Sequence, residues 1–204
     1  MTEDVKSRLQ FRKYKGAAIA HVFEDLAQMR MDVFREFPYL YDGGDLSYEM
    51  KYLQTYADSD RSMALTVYDG DKIIGATTCL PLADEIAEVR EPFEKEGPEM
   101  EKVFYFGESI VLKPYRGLGL GHLFFDEREK HASSFGEYEW TSFCAVNRGN
   151  IHPSQPKDFR PNDAFWNKRG YTKVPELKTT MSWADVGENE QSDKLMEFWL
   201  RKLS

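Results

Sequence analysis

Apolar residues recur at spacings of three and four through residues 21–37, where Val22, Leu26, Met29, Val33 and Phe37 share one stripe. This spacing predicts an amphipathic helix stopped by Pro38. A turn rich in tyrosine and glycine, "PYLYDGGD", leads to a second, shorter helical pattern over 46–58. From 62 to 82 the pattern becomes that of strands. Two β-rich runs flank Asp69-Gly70-Asp71, and Asp-Gly is a strong hairpin turn signal. "VFYFGESIVL" (103–112) is apolar at both parities, with Phe104, Phe106, Ile110 and Leu112 on one and Val103, Tyr105 and Val111 on the other. Such a strand is buried on both faces and so belongs at the centre of a sheet.

A helix to about Ser134 follows, with Leu120, Leu123, Phe124 and His131 along one stripe; His131 and His122 read as helix residues near the core. "YEWTSFCAVN" (138–147) is a further strand, and residues 148–163 form a proline-rich polar loop. "AFWNKRG" reads as a short helix closed by Gly170. "YTKV" and "LKTTMSWADV" read as two late strands. Leu195, Phe198, Trp199 and Leu203 then have helical spacing, which predicts a C-terminal helical extension over 188–203. The acidic segment 83–102, with Pro92 and Pro98 as breakers, is either a solvated connection or a mobile lid with a short helix beside a cleft. The order predicts one domain over 1–204, of α/β class, built on a single mixed sheet. The strand-loop-helix-strand unit at 103–147 has the length of one parallel crossover.

Composition narrows the function. The chain has 204 residues, of which 41% are hydrophobic, enough for a packed core. A net charge of −8 argues against nucleic acid as a partner and weakly favours cationic small molecules. Cys79 and Cys144 are the only cysteines, with neither a disulfide framework nor metal-ligand spacing, so both read as buried thiols and no metal is expected. The opening "MTEDVKSRLQ" lacks the apolar core of a secretory leader, and no apolar run is long enough to span a membrane. A soluble cytoplasmic protein is expected.

The chemistry concentrates in "KPYRGLGLGHLFF" (113–125). A dinucleotide fingerprint, G-x-G-x-x-G, fails because His122 stands where counting from Gly117 requires a third glycine. A P-loop fails because no Gly-Lys pair is present. What fits is R-x-x-G-x-G, Arg116 to Gly121, directly after a strand and opening a helix. Free amides at a helix start, with the helix dipole behind them, make an anion site, and missing β-carbons let a pyrophosphate reach the backbone.

In this segment the chain resembles the GNAT superfamily, the acyl-CoA-dependent N-acetyltransferases. "SIVLKPYRGLGLGHLFFDEREKHA" carries the specific part of the resemblance, and "AFWNKRGYTKV" resembles the family's late helix-glycine-aromatic signature. The resemblance implies a mostly antiparallel sheet with one splayed parallel pair, and acetyl-CoA as co-substrate. The amides of Arg116, Gly117, Leu118, Gly119, Leu120 and Gly121 would hold the pyrophosphate. Val111 and Leu112 would pair with the pantetheine arm, and the acetyl group would lie near Gly107 and Ser109. Asn147 is a cleft residue or an ordinary turn former. Tyr39 and Tyr41 lie where relatives bind the acceptor, a small-molecule or peptide amine.

Direct transfer needs a neutral amine, a stabilised oxyanion and a fate for the thiolate. Glu108, the one ionised side chain in an apolar strand, is the candidate base; the bland reading is a structural carboxylate bonded to a helix or to Arg116. Many relatives place a tyrosine acid where this chain has Trp166, and an indole is no useful proton donor. Tyr105, Tyr171, Cys144 and His152 are the remaining acid candidates, His152 reading equally as an exposed loop residue. The acidic 84–101 segment suggests a cationic amine. The alternative function is a non-catalytic acyl-CoA-binding or sensing module. The C-terminal helix would close the core or make a homodimer interface.

Overall fold

The computed structural model describes residues 2–149 and 152–203; Asn150 and Ile151 of the proline-rich loop lie outside the described residues. Seven strands make one sheet in the order β1-β2-β3-β4-β5-β7-β6. They are β1 (Leu9–Lys15), β2 (Met63–Asp69), β3 (Lys72–Pro81), β4 (Val103–Val111), β5 (Trp140–Val146), β6 (Thr172–Trp183) and β7 (Ser192–Lys202). Every neighbouring pair is antiparallel except β4 and β5, which are parallel. A helix α1 (Thr2–Arg8) precedes the sheet. Helices α2 (Phe23–Phe34), α3 (Leu46–Asp58) and α4 (Ala87–Glu96) cover one face, and α5 (Leu120–Ser133) and α6 (Asp163–Lys168) the other.

The mixed sheet, the hairpin at Gly70 and the parallel β4-α5-β5 unit agree with the sequence reading. Other features differ. The C-terminal helix is the strand β7, inserted between β5 and β6. Met196, Phe198 and Leu200 are buried on one face and Trp199 on the other, whereas Leu195 is 40% exposed. A central strand is apolar on both faces, and its contiguous "FWL" imitates the spacing of a helix face. The first helix begins later than its stripe, because Gly16–Val22 is a 3₁₀ turn, and it ends at Phe34 before Pro38. The strand β1 had no periodic signal, being an exposed edge strand whose cations Arg12, Lys13 and Lys15 fall on both faces.

The two late strands are one, β6, with an irregularity between Lys173 and Lys178. The acidic segment carries α4, whose Val89 and Phe93 are buried, Phe93 edge-on to Phe198 at 5.1 Å. The carboxylates of α4 face solvent on a helix docked to the sheet, away from the cleft described below, whereas Glu85 before it is buried and accepts from the Tyr56 hydroxyl.

Candidate active site

The strands β4 and β5 pair only through Val103–Trp140, Phe104–Thr141 and Tyr105–Ser142, then part. On its other side β4 pairs with β3, but Thr77 faces Ser109 while Cys79 faces Phe106. One residue of β3, Thr78, therefore opposes two of β4, Gly107 and Glu108, which is a β-bulge. The bulge swaps parity within the strand. Phe104 and Phe106 face α5, whereas Ile110 joins Tyr105 on the α2/α3 face, so the single parity assigned from sequence breaks at Gly107. Beyond the bulge a cleft of about 630 Å³ opens between β4 and β5. Gly107, Glu108 and Ser109 line it from β4, Cys144 from β5 with Asn147 just beyond its end, and Gly121, Phe125 and Arg128 from α5. Phe34, Phe37 and Tyr39 line it from the side of α2.

At the outer end of β4 the chain makes a 3₁₀ turn, Lys113–Tyr115, and enters α5 through Gly119 as N-cap. Gly117 and Gly119 have φ of +79° and +85°, values that side chains other than glycine rarely adopt. A β-carbon at either would meet nothing within 4 Å, so conformation rather than crowding requires glycine there. The amides of Gly117 to Gly121 find no acceptor among the described residues. Open amides on a helix start suit an anion such as a pyrophosphate. Arg116 folds back instead, donating from Nε to the Val111 carbonyl (3.0 Å) and pairing with Glu36 (2.8 Å). Leu112 gives its N–H to Ile74 and its carbonyl to Tyr115, which leaves nothing for an added strand. Neighbouring strand residues direct backbone groups to opposite edges, so Val111 turns toward the gap.

Glu108 is buried and doubly held. Arg30 of α2 pairs with one carboxylate oxygen and the Thr78 hydroxyl donates to the other. Thr78 also accepts the Glu108 N–H at 3.0 Å. Arg30 reaches Glu49 of α3 at 2.7 Å, and Tyr41 donates to Glu49 at 2.5 Å. The partner of Glu108 is thus Arg30 and not Arg116, and Tyr41 acts behind the wall of the cleft rather than in it. Tyr39 lines the cleft; its carbonyl accepts from Arg148 and from Trp183 Nε1 (3.0 Å), and burial pushes its hydroxyl pKa up. Arg148 also chelates Asp185 at 2.6 and 2.8 Å, tying this loop to the sheet.

The acid candidates separate. The Tyr105 hydroxyl lies 3.1 Å from Cys144 Sγ; burial raises both, the thiol to about 12. Tyr171 is bonded to Thr141 at 2.8 Å within an aromatic cluster and does not line the cleft. His152 sits 5.7 Å from the Phe37 ring, outside the lining, and Nδ1 accepts from Ser154 N–H. Asn147 lines the cleft and also acts as a turn former, its Oδ1 accepting from Gly149 N–H at 2.7 Å. Trp166 lines the cleft, packed on Phe143 and Trp199. Sequence reasoning missed Arg30, Thr78, Arg128 and Arg148. Only Arg128 left a trace: Gly121, Phe125 and Arg128 share one helical stripe, and a cation there breaks an otherwise buried face.

Comparison with known proteins adds three findings. The model of the acetyltransferase (GNAT) family matches residues 24–152. No curated protein matches the chain. Among solved structures, Arabidopsis thaliana NAA60 in complex with a bisubstrate analogue has TM-score 0.59 at 14% identity, covering 95% of this chain and 97% of that one. A ribosomal-protein-alanine N-acetyltransferase from Brucella melitensis has TM-score 0.61 at 13% identity, covering 95% and 99%. At such identity the likeness is one of fold. No helix among the described residues is long and apolar enough to cross a membrane.

Proposed function

The chain belongs to the GNAT acetyltransferase family, and from that premise we propose that it moves an acetyl group from acetyl-CoA directly to a primary amine of a small molecule or peptide. The observation that carries this reading is the cleft between the parted edges of β4 and β5, which joins the bulge of Gly107 and Glu108 to Gly121 at the start of α5, next to the open amides of the glycine turn.

Acetyl-CoA supplies an activated acyl group on a thiol. The chain's own residues do the rest. The amides at the start of α5 hold the pyrophosphate, and the Val111 N–H pairs with the extended arm. Glu108 draws a proton from the incoming ammonium, directly or through a water. Arg30 pairs with its carboxylate, and a carboxylate in a partly closed cleft also attracts a cation. The amine enters from the α2 side, past Phe37 and Tyr39. The two compared proteins include one whose name specifies an alanine of a ribosomal protein, which supports a peptide amine as one acceptor class.

The test has two arms. Calorimetry should detect CoA binding to the purified chain, and a thiol-release assay with acetyl-CoA should find turnover on at least one member of a panel of peptide N-termini, polyamines and amino sugars. Failure to bind CoA would overturn the reading. Tight binding with no turnover on any amine would replace it with the acyl-CoA-binding module.

A further inference from the structure

Arg128 is a buried cation without a carboxylate partner. Its side chain is 2% exposed, and no ion pair joins it to any acid among the described residues. It donates to two carbonyls, Phe124 O at 3.2 Å and Glu108 O at 3.4 Å. Its guanidinium lies 4.3 Å from the Phe106 ring centroid and 4.6 Å from that of Phe125. The titratable groups that act on it most strongly are Tyr171, Cys79, Glu129 and Tyr56. Glu129 is taken by Arg169 and Arg201, and burial keeps Tyr171, Tyr56 and Cys79 neutral by raising them. An isolated buried charge is costly, and a fold that needed only packing here would place an apolar side chain.

The position of this cation is informative. Arg128 lines the cleft together with Gly121 and Phe125, one turn and two turns along the helix whose start holds the open amides. It touches the carbonyl of the bulge residue whose carboxylate projects to the opposite face. Base and cation therefore flank the same point of the strand gap from opposite sides. An acyl carbon at that point has its nucleophile on one side and its leaving group on the other. The tyrosine acid of many relatives is replaced by Trp166, so a proton donor for the departing sulfur is missing from its usual place.

We propose that Arg128 receives the leaving thiolate, stabilising the sulfur as an anion in place of a proton donor. This rests on the acetyl-CoA reading above. The amine nitrogen bonds to the acyl carbon, the carbon–sulfur bond breaks, and its electron pair stays on sulfur as thiolate beside the guanidinium. Glu108 passes the first ammonium proton to water before the attack, then takes the second proton from nitrogen as the amide forms and passes it to water in turn, and the thiolate takes a proton from solvent on release. Burial lowers the guanidinium to about 10, so it stays charged at neutral pH.

Titrating the ultraviolet absorbance of the thiolate in bound CoA tests this without turnover. In the wild type, the acid dissociation constant of the bound thiol should exceed that of free CoA by about tenfold or more, as expected beside an opposite charge. Arg128→Gln and Arg128→Met should lose that gain, and Arg128→Lys should keep part of it. Affinity for desulfo-CoA, which has no thiol, should hardly change in any of them. A wild-type thiol no more acidic than free CoA would overturn the proposal even if every variant failed to fold. So would an unchanged titration in the Gln or Met variant. Absence of CoA binding to the wild type would instead overturn the acetyl-CoA reading itself.

Discussion

At the scale of single residues, the site depends on one missing side chain. A β-carbon on Gly107 would lie 1.9 Å from Tyr56 Oη and 2.7 Å from Thr78 Oγ1, so neither neighbour leaves room. Gly107→Ala should therefore cost about 1–3 kcal/mol in urea unfolding, the usual range for overpacking. It should also lower turnover, because the displaced Thr78 is one of the two groups that hold Glu108. Glu108→Gln separates geometry from charge. The amide keeps the shape but cannot take a proton, so kcat should fall by about 10²–10⁴ while CoA affinity stays. An unchanged kcat at saturating amine would leave Glu108 as an ion-pair partner of Arg30 only. Glu108 itself was legible in the sequence, because an ionised residue in an apolar strand is a local anomaly. Its partners were not, since Arg30 and Thr78 reach it across 78 and 30 residues and nothing in their own neighbourhoods marks them.

At the scale of elements, α5 serves three tasks along its length. Its start offers amides, its middle presents Arg128 to the cleft, and its end is anchored by His131, whose Nε2 lies 2.8 Å from the Arg61 carbonyl. Burial pulls His131 below its usual 6.5, outweighing the upward pull of its bond to the Arg61 carbonyl, and Lys15 and Lys13 add smaller downward pulls. The unfolded chain then takes up the proton first as pH falls. The stability from neutral His131 is whole above about 6.5 and is lost as pH drops through its lower folded value. His131→Gln can still donate to Arg61 but cannot titrate. Urea midpoints measured from about pH 7.5 down to 5 should fall less steeply in that variant than in the wild type. Equal slopes would show that His131 is not the group responsible. The glycine turn and the helix were readable because both are written in consecutive residues. The bulge in β4 was not, because it exists only in the register against β3. For the same reason Leu112, next to Val111 in sequence, turns to β3 while Val111 turns to the gap.

At the scale of the whole molecule, the last strand is structural and not an appendage. β7 pairs with β5 on one side and β6 on the other, so it joins the cleft-forming strand to the end of the sheet. Its side chains serve both layers. Phe198 meets Phe93 at 5.1 Å beneath α4, and Trp199 meets Trp166 at 5.1 Å beneath α6. A helix packed on the outside of the sheet would leave a folded remainder when removed. An inserted central strand would not, since β5 and β6 would each lose a ladder and both apolar layers would be opened to water. Deleting residues 188–204 should therefore abolish the cooperative unfolding transition and the near-ultraviolet dichroism of the aromatic layers. A milder version keeps the chain intact. Phe198→Ala, at a residue with no exposure, should cost about 3–5 kcal/mol, the range for truncating a buried aromatic. A truncated chain that still melted cooperatively and bound CoA would mean that β5 holds its half of the cleft without β7. The way the gap opens would then be set by β4 and its bulge alone.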